Sequence, residues 1–120
     1  MTGNRNAPER GEFWFANLAP LRPSSGAEIK KSRPVLIVSN NIVNEKRRTV
    51  LAIPLATSGG TAEPNPPITV GITCAGINAV AVVDQLRAVD KQRLVKQMGM
   101  SDRGEFNAVI DALSQILQII

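Results

Sequence analysis

The sequence predicts an α+β domain: a small, twisted antiparallel β-barrel or sheet followed by a C-terminal α-helix. Three observations predict it. Apolar residues between Phe13 and Val89 alternate or run together over stretches of strand length. Segments rich in Pro, Gly and Ser separate those stretches. The period then lengthens, and Phe106, Val109, Ile110, Leu113, Ile116, Leu117 and Ile120 recur at helical steps on one face. A chain of 120 residues with 43% hydrophobic content supports one core and not two.

Taken in order, residues 1–9 are polar and unpatterned and read as a flexible arm, which leaves 10–120 as a single domain. "GEFWFANL" alternates with a period of two and reads as the first strand. "APLRPSSGAEIKKS" reads as a long connecting loop. "PVLIVSN" is an uninterrupted aliphatic run, so it reads as a central strand buried on both faces and opened by Pro34. "RRTVLAIPLATSGG" supplies a third strand, whose late Pro54 marks an edge or a bulge. After the loop "TAEPNPP", "ITVGITC" and "AVAVVDQLRAVD" give further strands around a turn at Gly76. "DKQRLVKQM" reads as a short helical turn, and Ser101 or Asp102 caps the terminal helix.

Composition removes several kinds of chemistry. With Cys74 as the single cysteine and no histidine, an intramolecular disulfide, a conventional zinc site and the usual Ser or Cys triads are excluded. No Gly-rich phosphate loop, membrane-length apolar run or secretory signal is present, and the expected home is the cytoplasm. A net charge of +4 favours an acidic partner such as nucleic acid. The groups that remain are Arg, Thr, Ser, Asp, Glu and backbone amides, which suit phosphate chemistry. Arg33 stands out among them, because Pro34 holds it extended and the apolar run fixes where the strand starts. A guanidinium held there meets charge growing on a phosphorane without reorganising first. A solvated or ion-paired strand end is the plainer reading of the same residue.

"GEFWFANLAPL", "SSGAEIKKSRPVLIVSN", "IPLATSGG" and "VVDQLRAVDKQRL", in this order and at this spacing, resemble the MazF/PemK (Kid) family of toxin endoribonucleases over roughly residues 10–118. The most specific part runs from Gly26 and Glu28 to Arg33 and Pro34. The resemblance implies an SH3-like, CcdB/PemK-type barrel in a homodimer. It implies cleavage of single-stranded RNA without metal or other cofactor, by attack of the ribose 2′-OH to leave 2′,3′-cyclic phosphate and 5′-OH ends. It also implies a separate antitoxin with an acidic, partly disordered tail.

On that resemblance Arg33 is the catalytic arginine, and a threonine after the next strand steadies the reacting phosphate. Counting from Pro54 puts Ala56 at the threonine position, whereas counting back from "TSGG" puts Thr57 there. A bulge at Ala56 would bring Thr57 to the right face. Family positions that hold a histidine and a second arginine are here Ala27 and Val82, so Glu28 and Asp84 are left as acid–base or RNA-binding candidates. Glu28 could equally hold Arg33 in a salt bridge. Simple alternation sets Gln85 and Arg87 on one strand face, opposite Asp84. With Trp14, Lys30, Lys31 and Ser58 they form the candidate RNA contacts, Trp14 by stacking on a splayed base. Two alternatives stay open: a non-catalytic, CcdB-like gyrase-binding toxin, and a member that binds RNA but, with Ala56, cuts poorly.

Overall fold

The computed structural model describes residues 7–19, 31–57 and 63–119. They form a curled, seven-stranded antiparallel sheet with one long helix, so the expected fold class stands. The strands are β1 (Glu12–Ala16), β2 (Arg33–Ile37), β3 (Thr49–Ala56), β4 (Thr69–Cys74), β5 (Ile77–Val82), β6 (Arg87–Asp90) and β7 (Leu94–Met100). The helices are α1 (Asn41–Lys46) and α2 (Arg103–Leu117). Of the expected arm, residues 1–6 lie outside the described residues, while Ala7 and Pro8 are buried.

Alternation along the strands produces two cores. In β2, Val35 and Ile37 join an inner cluster with Ala16, Val50, Ala52 and Val89. Leu36 and Val38 point the other way, into an outer cluster with Phe13, Ile53 and Leu55 that β4, β5 and α2 cover. The run "PVLIV" therefore lacks polar alternation because both of its faces are buried. β1 lies between β2 and β7, β3 pairs with β2 and β6, and the 3₁₀ turn Lys91–Arg93 joins β6 to β7. So short a link draws the two ends of that strand series together and curls it around the inner cluster.

Pro54 corrects an expectation, since β3 is central and not an edge. One side of β3 pairs with β2 throughout Ala52–Pro54. Its other side pairs with β6 as far as Ala52 and with β5 from Leu55. Pro54 falls in the gap between these two partners, where a residue without an N–H breaks no ladder. Two further corrections concern the C-terminal half. The segment "DKQRLVKQM" is helical only at Lys91–Arg93 and continues as β7, and "AVAVVDQLRAVD" is split by a 3₁₀ turn at Val83–Gln85. Helix α1 was not expected at all; the Asn40 side chain caps it, accepting from the Val43 amide at 2.9 Å. Its Asn44 is fully buried and closes a network with Ser39, donating to the Ser39 carbonyl at 3.0 Å and accepting from the Ser39 hydroxyl.

The β4–β5 hairpin turns on Ala75 and Gly76, with φ of 51° and 80°. Two positive φ values make a type I′ turn, which suits Asn-Gly far better than Ala-Gly. Ala75→Asn is expected to raise stability by about 1 kcal/mol, measured by urea unfolding. At the other side of the hairpin, α2 opens on Asp102, whose carboxylate accepts from the Glu105 amide at 3.0 Å. Glu105 in turn accepts from the amide and hydroxyl of Thr73 at 2.9 and 3.2 Å, which fastens the edge strand β4 to the helix. Glu105→Ala should cost about 1–2 kcal/mol and speed hydrogen exchange at the Thr73 amide. Phe106, Ile110, Leu113 and Ile116 of the expected apolar face pack on the outer cluster. Arg10 closes the N-terminal side, with its guanidinium 4.8 Å from the Phe106 ring centroid and donating to the Val38 carbonyl.

Candidate active site

Arg33 is the first residue of β2, opposite Ala16 of β1. Its position follows from its neighbours: Val35 to Val38 are buried, so the strand cannot slide, and Arg33 must stand at its end. The half-buried guanidinium reaches across to β3, where Nη1 donates to the Leu55 carbonyl at 3.2 Å. Nε is buried and has no hydrogen-bond partner among the described residues. A buried N–H left unpaired costs about 1–3 kcal/mol, a cost that native structures concentrate where function needs it. The arrangement is a guanidinium tied down by one donor while another has no partner among the described residues. A planar guanidinium held this way suits two parallel hydrogen bonds to a tetrahedral or trigonal-bipyramidal phosphate.

The carbonyl that Arg33 grips belongs to the peptide joining Leu55 to Ala56. Extending the Val35↔Pro54 register sets Ala56 across from Arg33, on the same face. Pairing with β5 runs Leu55↔Ala81 and Ala56↔Val80 without a shift, so the bulge expected at Ala56 is absent. Thr57 follows the strand end and is exposed. The structure thus brings Arg33, Ala56 and Thr57 together at one end of β3.

The other candidates are dispersed. Glu28, Lys30 and Ser58 lie outside the described residues, and Lys31 is exposed just before Arg33. Asp84 and Gln85 sit in the 3₁₀ turn after β5, with Asp84 exposed, whereas Arg87 opens β6. The strand face expected to carry Gln85 and Arg87 together therefore does not exist, because the turn breaks the alternation. Gln85 and Arg87 are both engaged by neighbouring groups. Arg87 pairs with Ala52, four residues from Ala56 along β3, or about 13 Å from the Arg33 level. Trp14 packs on the inner cluster, and its indole donates to Glu12 Oε1 at 3.0 Å.

Two residues of this region were not singled out from sequence. Glu12 takes the indole of Trp14 and, through Oε2, the Gln97 amide at 3.3 Å, linking β1 to β7. Arg93 donates to the carbonyls of Asn17 and Ala19 at 3.0 and 2.6 Å and fixes the chain where it leaves β1. Glu12 was marked only by standing next to the apolar run Phe13–Ala16, and Arg93, in the polar stretch Asp90–Arg93, by nothing. Burial pushes the Cys74 thiol above its ordinary pKa, so this group is neutral and inert at working pH. Among the described residues no cluster of His, Cys, Asp and Glu could hold a metal ion, and no helix is long and apolar enough to cross a membrane.

Comparison with known proteins bears on the family and the fold. Residues 9–117 match the family model for the PemK-like, MazF-like toxin of type II toxin–antitoxin system. The chain is 37% identical over 112 residues to endoribonuclease PemK of Escherichia coli, covering 91% of this chain and 81% of that protein. It is 28% identical over 114 residues to endoribonuclease EndoA of Bacillus subtilis (strain 168), covering 93% and 96%. The fold superposes on a crystal structure of MazF from Deinococcus radiodurans with a TM-score of 0.76, at 22% identity over 93% of this chain and 97% of that one. A mycobacterial endoribonuclease solved with its cognate antitoxin gives 0.75, at 24% identity over 95% and 98%. The resemblance read from the four sequence segments holds across almost the whole chain, which belongs to the PemK-like, MazF-like toxins of type II toxin–antitoxin systems.

Proposed function

We propose that the protein is a toxin endoribonuclease that cuts single-stranded RNA as a cytoplasmic homodimer and is neutralised by a cognate antitoxin. The observation that carries this reading is Arg33, a guanidinium fixed by one carbonyl and with a buried N–H that has no partner among the described residues, in a chain whose relatives are endoribonucleases. In the proposed reaction the ribose 2′-oxygen attacks the adjacent phosphorus and loses its proton to a carboxylate, with Glu28 and Asp84 as candidates. The bond to the 5′-oxygen breaks, and that oxygen takes a proton from water and leaves as a 5′-OH. A 2′,3′-cyclic phosphate remains on the other fragment. Arg33 stabilises the extra negative charge of the phosphorane, and no metal or other cofactor takes part. The antitoxin is proposed to lay an acidic tail over the same basic surface, in line with the net charge of +4.

Incubation with a long unstructured RNA in EDTA, followed by end mapping, tests the proposal. Discrete cuts with cyclic phosphate and 5′-OH ends are expected, and intact RNA from folded protein refutes it. The register favours one second reading, a member that binds RNA but cuts slowly, since Ala56 and not Thr57 faces Arg33. Thr57→Ala is expected to lower the cleavage rate about a hundredfold with RNA affinity little changed. An unchanged rate there, with a faster Ala56→Thr enzyme, would assign the slow-cutting reading instead.

A further inference from the structure

Resting on the ribonuclease reading, we infer that the turn between α1 and β3 together with Lys91 forms a second, sequence-independent RNA-binding surface that holds the phosphate backbone away from the cut. Lys46, Arg47 and Arg48 are consecutive and exposed. Folding brings a fourth cation to them: the Lys91 amide donates to the Arg48 carbonyl at 2.9 Å, and its Nζ to the Glu45 carbonyl at 3.4 Å. These four line a concavity of ≈ 300 Å³ with Glu45 and Asp90. Asp90 is already committed, accepting from the Gln92 amide at 2.9 Å, and it reaches Arg48 only at 4.0 Å, with the Arg48 side chain 85% exposed. Four cations thus gather against two carboxylates, an arrangement whose self-repulsion a polyanion relieves.

The lining also decides which polyanion. Every residue in it is polar or charged. A peptide that orders on binding needs an apolar anchor, and none is offered here, whereas a phosphodiester chain needs only cations. No aromatic side chain lines the surface, so its contacts fall mainly on the phosphate backbone and add affinity without choosing sequence. It sits where β3 begins at Thr49, while Arg33 grips the Leu55 carbonyl near its end, six residues or about 20 Å away. At roughly 3.4 Å per stacked nucleotide, about six nucleotides separate the two stations. Short substrates therefore reach Arg33 alone.

The test compares the parent protein with an Arg47→Ala/Arg48→Ala/Lys91→Ala variant of equal melting temperature. One RNA carries about ten nucleotides on each side of the mapped cut, the other about three. Anisotropy with the long RNA, in an Arg33→Ala background that leaves it intact, should show the salt slope falling by about two in the variant. Cleavage of the long RNA should fall about tenfold at low substrate, with the short RNA cut at the parent rate and both at the same phosphodiester. An unchanged salt slope overturns the inference, as does an equal loss on both substrates. Unaltered RNA binding with lost binding of poly-glutamate overturns it too, and moves the patch to an acidic protein partner. A parent that cuts neither RNA yet loses slope in the variant sinks the ribonuclease reading and leaves this surface standing.

Discussion

Arg33→Ala is expected to lower the single-turnover rate of RNA cleavage by a hundredfold or more, at about the scale of losing one oxyanion donor, without unfolding the protein or releasing its RNA. The stability half of this result is what separates a functional arginine from a structural one. Truncation removes the hydrogen bond from Nη1 to the Leu55 carbonyl, worth about 0.5–1.5 kcal/mol net. It also removes the buried Nε, unpaired among the described residues, whose desolvation costs about 1–3 kcal/mol. The two nearly cancel, so the melting temperature should stay level or rise. A clear fall in melting temperature, with cleavage reduced only in proportion to folded protein, would return Arg33 to a structural role. Arg33→Lys should fail to restore the rate, because an ammonium keeps the charge but loses the planar fork.

Phe13→Ala is expected to cost about 3–5 kcal/mol, a large part of the margin by which a domain of this size is folded. The ring is 1% exposed and belongs to the outer cluster, with Leu36 beside it on β2 and Gly99 beside it on β7. Gly99, at φ 114°, brings no side chain to that pair. On the β7 side, then, the paired residue has no side chain to move into the cavity. Urea unfolding should show the midpoint falling with the slope unchanged; a cost under about 1 kcal/mol would mean that the cluster collapses around the gap. The neighbouring Phe15 is only half-buried, and its removal should cost less.

What the sequence disclosed follows from where a single interaction decides the structure. Both faces of Val35–Val38 are buried, so an unbroken apolar run was enough to place β2, and with it Arg33. The stripe of α2 and its Asp102 cap were equally plain, because a long helix repeats its signal over several turns. β7 was misread because "LVKQMGM" has little strand character of its own. It is a strand because β1 needs a partner, and the pairing carries two register shifts that no periodicity could show. Pro54 misled for a related reason: whether a proline interrupts a ladder depends on where one neighbour ends and another begins, which only the assembled sheet decides. Of the candidate site, the position of Arg33 at the head of β2 was legible and no more. The choice between Ala56 and Thr57 is a matter of register, and the turn separating Gln85 from Arg87 lies hidden in a continuous strand-like run.

β1 lies between β2 and β7, a strand made more than eighty residues of synthesis later by the numbering of Ala16 and Met100. A chain emerging from the ribosome has Arg33 early, but it cannot complete the sheet around that arginine until Leu94–Met100 has followed. Closure so late in the chain acts as a built-in delay. The sheet that carries Arg33 is whole only once β7 has been made.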